Sequence, residues 1–219
     1  MKKILIAEDI DSINQGIASI FHDNAQLEMH HAKYCDDAFL KIKKAIIDGV
    51  PFDLLITDLS FKLDHRAVIL QSGEDLIKAV KSEQSDIKIV VYSIEDRSFR
   101  IKTLFNEGID AYVSKGRQGS VELVNAVKSV WKNEKYISPE LSHLIANPTM
   151  LEIDDTDLDF LRLLSQGFTQ EEIGKKFKEL GKSSSSISSI EKRMNKLKIY
   201  FKAKNAVHLV GIVKDMGVV

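Results

Sequence analysis

Cysteine and long apolar runs are both scarce in this 219-residue sequence. The single cysteine, Cys35, excludes an intramolecular disulfide framework, and no paired Cys and His spacing typical of a zinc site occurs. The apolar run after Lys2 and Lys3 extends only from Ile4 to Ala7 before acid interrupts it. A signal peptide needs roughly 7–15 apolar residues and a membrane-spanning helix about 20. We therefore expect a protein of a reducing compartment, the cytoplasm, with no membrane association.

Net charge is also nearly absent, at −1, but the charges are unevenly distributed along the chain. The segment from Lys182 to Lys204 has a net charge of +6, because seven basic residues stand against the single acid Glu191. A basic segment of this kind is the predicted contact for a polyanion such as a nucleic acid.

Short apolar, β-branched runs alternate with longer amphipathic stretches over the first two thirds of the chain, which is typical of βα repeats around a parallel sheet. The predicted strands are Lys3 to Ala7, Leu27 to His31, Leu54 to Thr57, Ile87 to Tyr92 and Ala111 to Ser114. The predicted helices are Ser12 to His22, Asp36 to Ile47, Gly73 to Ser82, Arg97 to Asn106 and Ser120 to Trp131. Residues 1–132 are thus predicted to form one α/β domain with a five-stranded, doubly wound parallel sheet.

The rest of the chain is predicted to be a linker, residues 133–153, and a smaller all-α domain, residues 154–219. Pro139 and Pro148 fall in the linker, which shows no sustained periodicity. Three capping signals, at Asp154, Thr169 and Ser188, each precede an acid by three residues and predict helices from about Asp155, Gln170 and Ser189.

Functional groups in an open α/β sheet collect at the carboxyl ends of the strands. The groups found there are three carboxylates, a hydroxyl and a lysine, namely Glu8, Asp9, Asp58, Ser93 and Lys115. Three adjacent carboxylates repel one another unless a divalent cation balances them, and an all-oxygen site favours Mg²⁺. Attack of a carboxylate on phosphorus needs the charge on the phosphoryl oxygens to be neutralised. We therefore predict that Asp58 is the nucleophile, that Glu8 and Asp9 hold Mg²⁺, and that Lys115 pairs with the phosphoryl group, to which Ser93 donates a hydrogen bond.

This set resembles the receiver domain of two-component response regulators over roughly Lys3 to Trp131. The matching stretches are Ile4-Leu5-Ile6-Ala7-Glu8-Asp9, Phe52 to Leu59, Val90-Val91-Tyr92-Ser93 and Ala111 to Gly116. The resemblance implies a flavodoxin-like fold, phosphorylation of Asp58 by a cognate histidine kinase, and an aromatic switch residue at Tyr112. It also implies a metal ligand at the backbone carbonyl of Ser60.

The last long helix of the basic segment is predicted to have two faces. One face carries Ile190, Met194, Leu197 and Phe201, and the opposite face carries basic and amide side chains. Leu161 to Gly174 resembles the first half of the LuxR-type helix-turn-helix of NarL/FixJ regulators, which implies binding of double-stranded DNA, transcription regulation and homodimers after phosphorylation. The predicted DNA-binding residues are Lys192, Arg193, Asn195 and Lys196.

Two stretches depart from the family pattern. The loop from Leu63 to Ser72 is several residues longer than usual, and the turn between Phe177 and Ile190 has about half a dozen extra residues. The predicted function is a non-enzymatic DNA-binding regulator, and two other functions are alternatives to it. A haloacid-dehalogenase-like phosphotransferase needs a second Asp two residues after the nucleophile, where this chain has Ser60. A protein-interaction adaptor whose helical domain does not bind DNA is the remaining alternative.

Overall fold

A computed structural model describes residues 1–22, 25–62, 68–142, 153–182 and 185–219. The chain divides into two compact units. The first contains a parallel sheet with helices within residues 1–143, and the second contains the helices from Asp155 to Asp215. In the described ranges, no helix is both long enough and apolar enough to cross a membrane.

The first unit is built on a parallel sheet with the strand order β2-β1-β3-β4-β5-β6. The strands are β1 (Lys2–Ala7), β2 (Leu27–Ala32), β3 (Leu54–Thr57), β4 (Lys88–Ser93), β5 (Ala111–Ser114) and β6 (Tyr136–Ile137). The central strands are mainly apolar, as in parallel sheets whose two faces are both covered. Ile4, Leu5 and Ile6 of β1, for example, are fully buried.

Helices follow each of the first five strands, as the alternation predicted. They are α1 (Asp11–Phe21), α2 (Cys35–Ile47), α3 (Gly73–Glu83), α4 (Ser98–Asn106) and α5 (Gly119–Trp131). Cys35, the first residue of α2, is only 2% exposed, and burial, together with the charges of Asp36, Asp75 and Asp9, raises the pKa of its thiol to about 12. Cys35 is thus a buried free thiol, and with no second cysteine in the sequence it has no partner for an intramolecular disulfide.

Among the described residues, the sheet has six strands in place of the predicted five. The additional strand, β6, lies inside the stretch expected to be linker and pairs with β5, with Tyr136 opposite Ala111. A short 3-10 helix, Pro139–Leu141, follows it. The strand has only two residues, so no period-2 pattern could have predicted it; its position is fixed by pairing with β5, which a local pattern does not record.

The second unit has a helical core. Its helices are α6 (Asp155–Ser165), α7 (Gln170–Glu179), α8 (Ile187–Tyr200) and α9 (Ala206–Asp215). Each contributes buried apolar side chains, including Phe160, Ile173, Ile190, Leu197 and Leu209. The apolar face predicted for α8 is confirmed, since Ile190, Met194 and Leu197 are all buried.

Two of the three predicted capping signals are confirmed. The side chains of Asp154 and Thr169 each accept a hydrogen bond from the backbone N–H three residues on. The acid at that position in turn accepts a hydrogen bond from the backbone N–H of the capping residue. The third is wrong, because α8 begins two residues earlier than predicted and its cap is Ser186, which accepts from the N–H of Ser189. Several serines near the start of this helix could act as its cap. The one that does is Ser186, which directly precedes Ile187, the first residue of α8.

Candidate functional site

The carboxyl ends of β1, β3 and β5 bring Glu8, Asp58 and Lys115 together. Each residue directly follows its strand, and the backbone of the neighbouring strand holds it in register. The N–H of Asp58 donates to Ala7 O at 3.1 Å, and that of Lys115 donates to Ser93 O at 2.9 Å. Glu8 is 1% exposed and Asp58 is 7% exposed, so both carboxyl groups lie out of bulk water.

The ammonium of Lys115 bridges the two carboxyl groups. Its Nζ lies 2.6 Å from Asp58 Oδ2 and 2.7 Å from Glu8 Oε2. Three residues separated by 50 or more positions in the sequence thus form one charge-assisted hydrogen-bonded cluster, in which each contact is stronger than it would be in water.

Burial and charge act in opposite directions on these groups. Burial raises the pKa of Glu8, against the opposing effect of the Lys115 ammonium beside it. Burial alone would lower the pKa of Lys115, but its hydrogen bonds to Asp58 and Glu8 outweigh burial and raise the pKa above the ordinary value. The lysine therefore stays charged beside the carboxyl groups of Asp58 and Glu8.

Asp58 is further fixed by the backbone that follows it. The N–H of Leu59 donates to Asp58 Oδ1 at 2.6 Å, and the N–H of Gly73 donates to Leu59 O at 3.0 Å. A Cβ at Gly73 would lie only 1.9 Å from the backbone oxygen of Asp58. Gly73 therefore lets α3 begin directly against Asp58. The one sequence signal for this role is a glycine at the first position of the predicted helix.

Asp9 and Ser60, the other predicted metal ligands, lie at the exposed margin of this edge. Asp9 Oδ2 accepts a 2.9 Å hydrogen bond from the backbone N–H of Lys62, and Ser60 is exposed. The donor set consists of oxygens, which Mg²⁺ prefers. In the described part of the chain, however, no three His, Cys, Asp or Glu side chains are grouped as a metal site. The reason is local, because the ammonium of Lys115 lies between two of the carboxylates and Asp9 turns to Lys62.

Ser93 and Tyr112, predicted as switch residues, are both buried. Ser93 is fully buried and its Oγ has no hydrogen-bond partner among the described residues. An unsatisfied buried hydroxyl costs free energy. Tyr112 is also fully buried, and its hydroxyl donates to the backbone oxygen of Glu95 at 2.6 Å.

In the second unit, the four predicted DNA-binding residues do not share one environment. Lys192 and Asn195 are exposed on α8. The Lys196 side chain is 45% exposed and the Arg193 side chain only 14% exposed.

Arg193 and Lys196 instead reach the start of α6, where they pair with aspartates. Arg193 pairs with Asp157 and, at 3.0 Å, with Asp154, and Lys196 Nζ lies 2.8 Å from Asp157 Oδ2. Asp157 is fully buried. Burial alone would raise the pKa of Asp154, but the Asp157 N–H and Arg193 outweigh it and lower the pKa. Arg193 thus points into the unit and not toward solvent.

No family model matches the chain, but curated relatives do. The response regulator GacA of Pseudomonas aeruginosa is 25% identical over 147 residues, which are 67% of this chain and 63% of that protein. The nitrate/nitrite response regulator protein homolog of Haemophilus influenzae is 25% identical, and the chain spans only 57% of its length. The response regulator UvrY of Escherichia coli is 21% identical over 91% of this chain and 89% of its own length.

Solved structures of RcsB have the same fold. The RcsB response regulator of Salmonella typhimurium superposes with a TM-score of 0.69 at 20% identity, covering 98% of this chain and all of that one. A complex of the two-component response regulator RcsB with DNA gives a TM-score of 0.64 with 98% coverage of both chains. The relatives and these structures together confirm the predicted resemblance to response regulators and the predicted fold, a parallel α/β sheet followed by a helical domain.

Proposed function

We propose that this chain is a phosphorylation-dependent, DNA-binding transcription regulator of a two-component system, and not an enzyme acting on a metabolite. The observation that carries the proposal is the buried Asp58 carboxylate with the Lys115 ammonium 2.6 Å away at the carboxyl edge of a parallel sheet. Similarity to proteins named response regulators supports the same function.

In the proposed reaction, an oxygen of Asp58 forms a bond to phosphorus as the bond from phosphorus to the donor breaks. The leaving group keeps the bonding electrons; with a phosphohistidine donor this is the imidazole nitrogen of a histidine kinase. Lys115 neutralises charge on the phosphoryl oxygens, and its contact with Glu8 keeps the ammonium at the site while its partner on Asp58 changes. The buried Ser93 hydroxyl then gains the acceptor that it lacks.

Magnesium is the proposed cofactor. Glu8, Asp9, Asp58 and the backbone carbonyl of Ser60 would hold it, and it would supply positive charge that offsets repulsion between these carboxylates and a phosphoryl group. In this chain Asp9 would exchange the Lys62 N–H for the metal, and Glu8 and Asp58 would share their charge between the metal and Lys115.

The proposed DNA-binding face is the exposed side of α8. Lys192, Asn195 and Lys196 are its members, and the solved complex of RcsB with DNA supports this assignment. Arg193, predicted as a fourth member, is here assigned to the interior, because it is mostly buried against Asp154 and Asp157. Phosphorylation is proposed to act in the cytoplasm by favouring homodimers that bind two half-sites.

Phosphate incorporation tests the proposal. With phosphoramidate and Mg²⁺, the parent protein should gain one acid-stable, base-labile acyl phosphate, and Asp58→Asn should gain none. Asp53→Asn is the matched control, since Asp53 is partly buried at the opposite end of β3 and pairs with Lys2. Equal labelling of Asp58→Asn and the parent would refute the assignment of the phosphoacceptor.

A DNA-binding measurement separates the regulator from the adaptor. Phosphorylated protein should bind genomic DNA fragments with an affinity that falls steeply as salt rises, because contacts to phosphates release counterions. An adaptor with the same fold would show no salt-dependent DNA binding in either state.

A further inference from the structure

The ammonium of Lys115 has a third neighbour besides Glu8 and Asp58. It lies over the ring of Tyr92, 5.6 Å from the ring centroid. A cation within about 6 Å of an aromatic face is attracted by the negative charge of that face, and the attraction grows when water is excluded. Lys115 is 10% exposed, so the contact is largely screened from solvent.

Tyr92 is itself held in place from two sides. Its backbone belongs to β4, where it pairs with Val113 of β5, and its side chain packs against the buried core of the sheet. Ser93, the next residue, points to the opposite face of the sheet because side chains alternate along a strand. The strand that supplies the Ser93 hydroxyl therefore also supplies the ring under Lys115.

Gly119 provides the space that the ring occupies. A Cβ at this position would lie 2.8 Å from the Tyr92 hydroxyl oxygen, 3.2 Å from Tyr92 Cε2 and 3.1 Å from Ser114 O. Any other residue at the start of α5 would displace the ring or the helix. The first residue of α5 thus admits the ring, which in turn lies under the ammonium.

A lysine side chain has four rotatable bonds, so an ammonium positioned by carboxylates alone would follow them as they change charge or partner. Phosphorylation of Asp58 is such a change. The Tyr92 ring carries no charge that the reaction alters, and it can keep the ammonium at the edge of β5 before and after phosphoryl transfer.

We propose that Tyr92 is a positioning residue for Lys115 in phosphoryl transfer to Asp58. The inference rests on the proposed function, since it names a further residue of that same site. Tyr92 acts through the lysine and does not touch the reacting atoms. The resemblance to receiver domains includes Tyr92 only as part of a matching strand and implies no role for it.

The first test is the rate of Asp58 phosphorylation by phosphoramidate in the full-length protein with Mg²⁺. Tyr92→Leu should slow it about threefold to tenfold, the range expected for losing one partly desolvated cation–π contact. Tyr92→Phe keeps the ring and should restore most of the parental rate. Tyr136→Leu is the control, because Tyr136 is also an aromatic residue that packs against the same core, on β6.

The second test reads the lysine directly. The ring current of Tyr92 should shift the Lys115 Hε resonances upfield in a protein with 13C-labelled lysine. The shift should persist in Tyr92→Phe and disappear in Tyr92→Leu. A variant that only loosened the core, such as Tyr136→Leu, should leave it unchanged.

The outcomes separate this inference from the function on which it depends. If the parent is not labelled at Asp58, the proposed function fails. If the parent is labelled, equal rates for Tyr92→Leu and the parent would overturn the positioning role. A slow Tyr92→Leu that Tyr92→Phe fails to rescue, or a Lys115 resonance unchanged by Tyr92→Leu, would overturn it as well.

Discussion

Asp157 is the most deeply buried charged residue described in the helical unit, and two cations compensate it. A buried carboxylate is tolerated only when it is paired and hydrogen-bonded. Asp157 meets that requirement with side chains from α8 and with the backbone N–H of Asp154. The same carboxylate therefore completes the cap of α6 and connects α6 to α8.

Loss of Arg193 should destabilise the helical unit. Arg193→Ala would leave Asp157 buried with only Lys196 beside it, and breaking one partner of a buried pair costs about 3 kcal/mol. Urea unfolding followed by helical circular dichroism measures the change. Lys192→Ala, one residue earlier on the exposed side of α8, should change stability by at most about 0.5 kcal/mol. Equal stability of the two variants would show that Arg193 does not hold the unit together.

At the scale of single residues, the sequence predicted the positions of the carboxylates and the lysine better than their contacts. Glu8, Asp58 and Lys115 were placed correctly at one edge, because the ends of parallel strands converge. The ammonium of Lys115 bridges both carboxylates. These residues lie 50 or more positions apart in the sequence, and periodicity does not encode contacts over such separations. The inward direction of Arg193 was missed for the same reason, since its partner Asp157 lies 36 residues earlier.

Among the elements, β6 shows how a short strand is fixed without any pattern of its own. Ser138, just after it, is fully buried; its N–H donates to Tyr112 O at 2.9 Å, and its Oγ accepts from the Ser114 N–H at 3.0 Å and donates to Glu122 of α5. Ser138 thus connects the end of β6 to both β5 and α5.

Ser138→Ala should therefore lower the stability of the first unit by about 1–3 kcal/mol, because it leaves the Ser114 N–H and a Glu122 oxygen without their partner. Thermal unfolding monitored by the fluorescence of Trp131 measures the effect. Ser142→Ala is the control; Ser142 is exposed and its hydroxyl bonds only locally, to Pro139 O. A loss no greater than that of the control would show that the hydroxyl is dispensable.

The exposed face of α8 should govern DNA affinity. Lys192→Ala should weaken binding on a target bound by the parent and reduce the slope of log affinity against log salt by roughly 0.9, if the lysine contacts one phosphate. Lys44→Ala, which neutralises a lysine on α2 of the other unit, should change neither quantity. Lys196 is a poorer test, because its loss would also remove a partner of Asp157. An unchanged slope for Lys192→Ala would exclude this phosphate contact.

Strands and helices longer than β6 were predicted well, because the signals that specify them lie in the local sequence. Strands β3 and β5 and the starts of α3, α6 and α7 agree with the structure because apolar runs and capping side chains specify them. Where several residues of one type compete, as in the serines before α8, the pattern gave the wrong cap. Where pairing with a distant strand decides, as in β6, it gave no strand.

Over the whole molecule, the chain divides into two compact units, and its single cysteine, Cys35, lies in the first. With a pKa of about 12, Cys35 is ionised in about one molecule in ten thousand at pH 8. We expect iodoacetamide to alkylate it about a thousandfold more slowly in the folded protein than in urea, from the pKa difference alone, because the thiolate is the nucleophile. Mass spectrometry after timed quenching measures the rate. Rapid alkylation of the folded protein would contradict the burial of Cys35.

The low reactivity expected of the Cys35 thiol also makes the protein convenient for spectroscopy. With Cys35 left in place, cysteines introduced at exposed positions such as Lys44 and Ser142 would be the reactive thiols of the folded chain. Paired spin labels attached in this way would report distances within the protein as phosphate is added to Asp58. The native core would not have to be altered to obtain them.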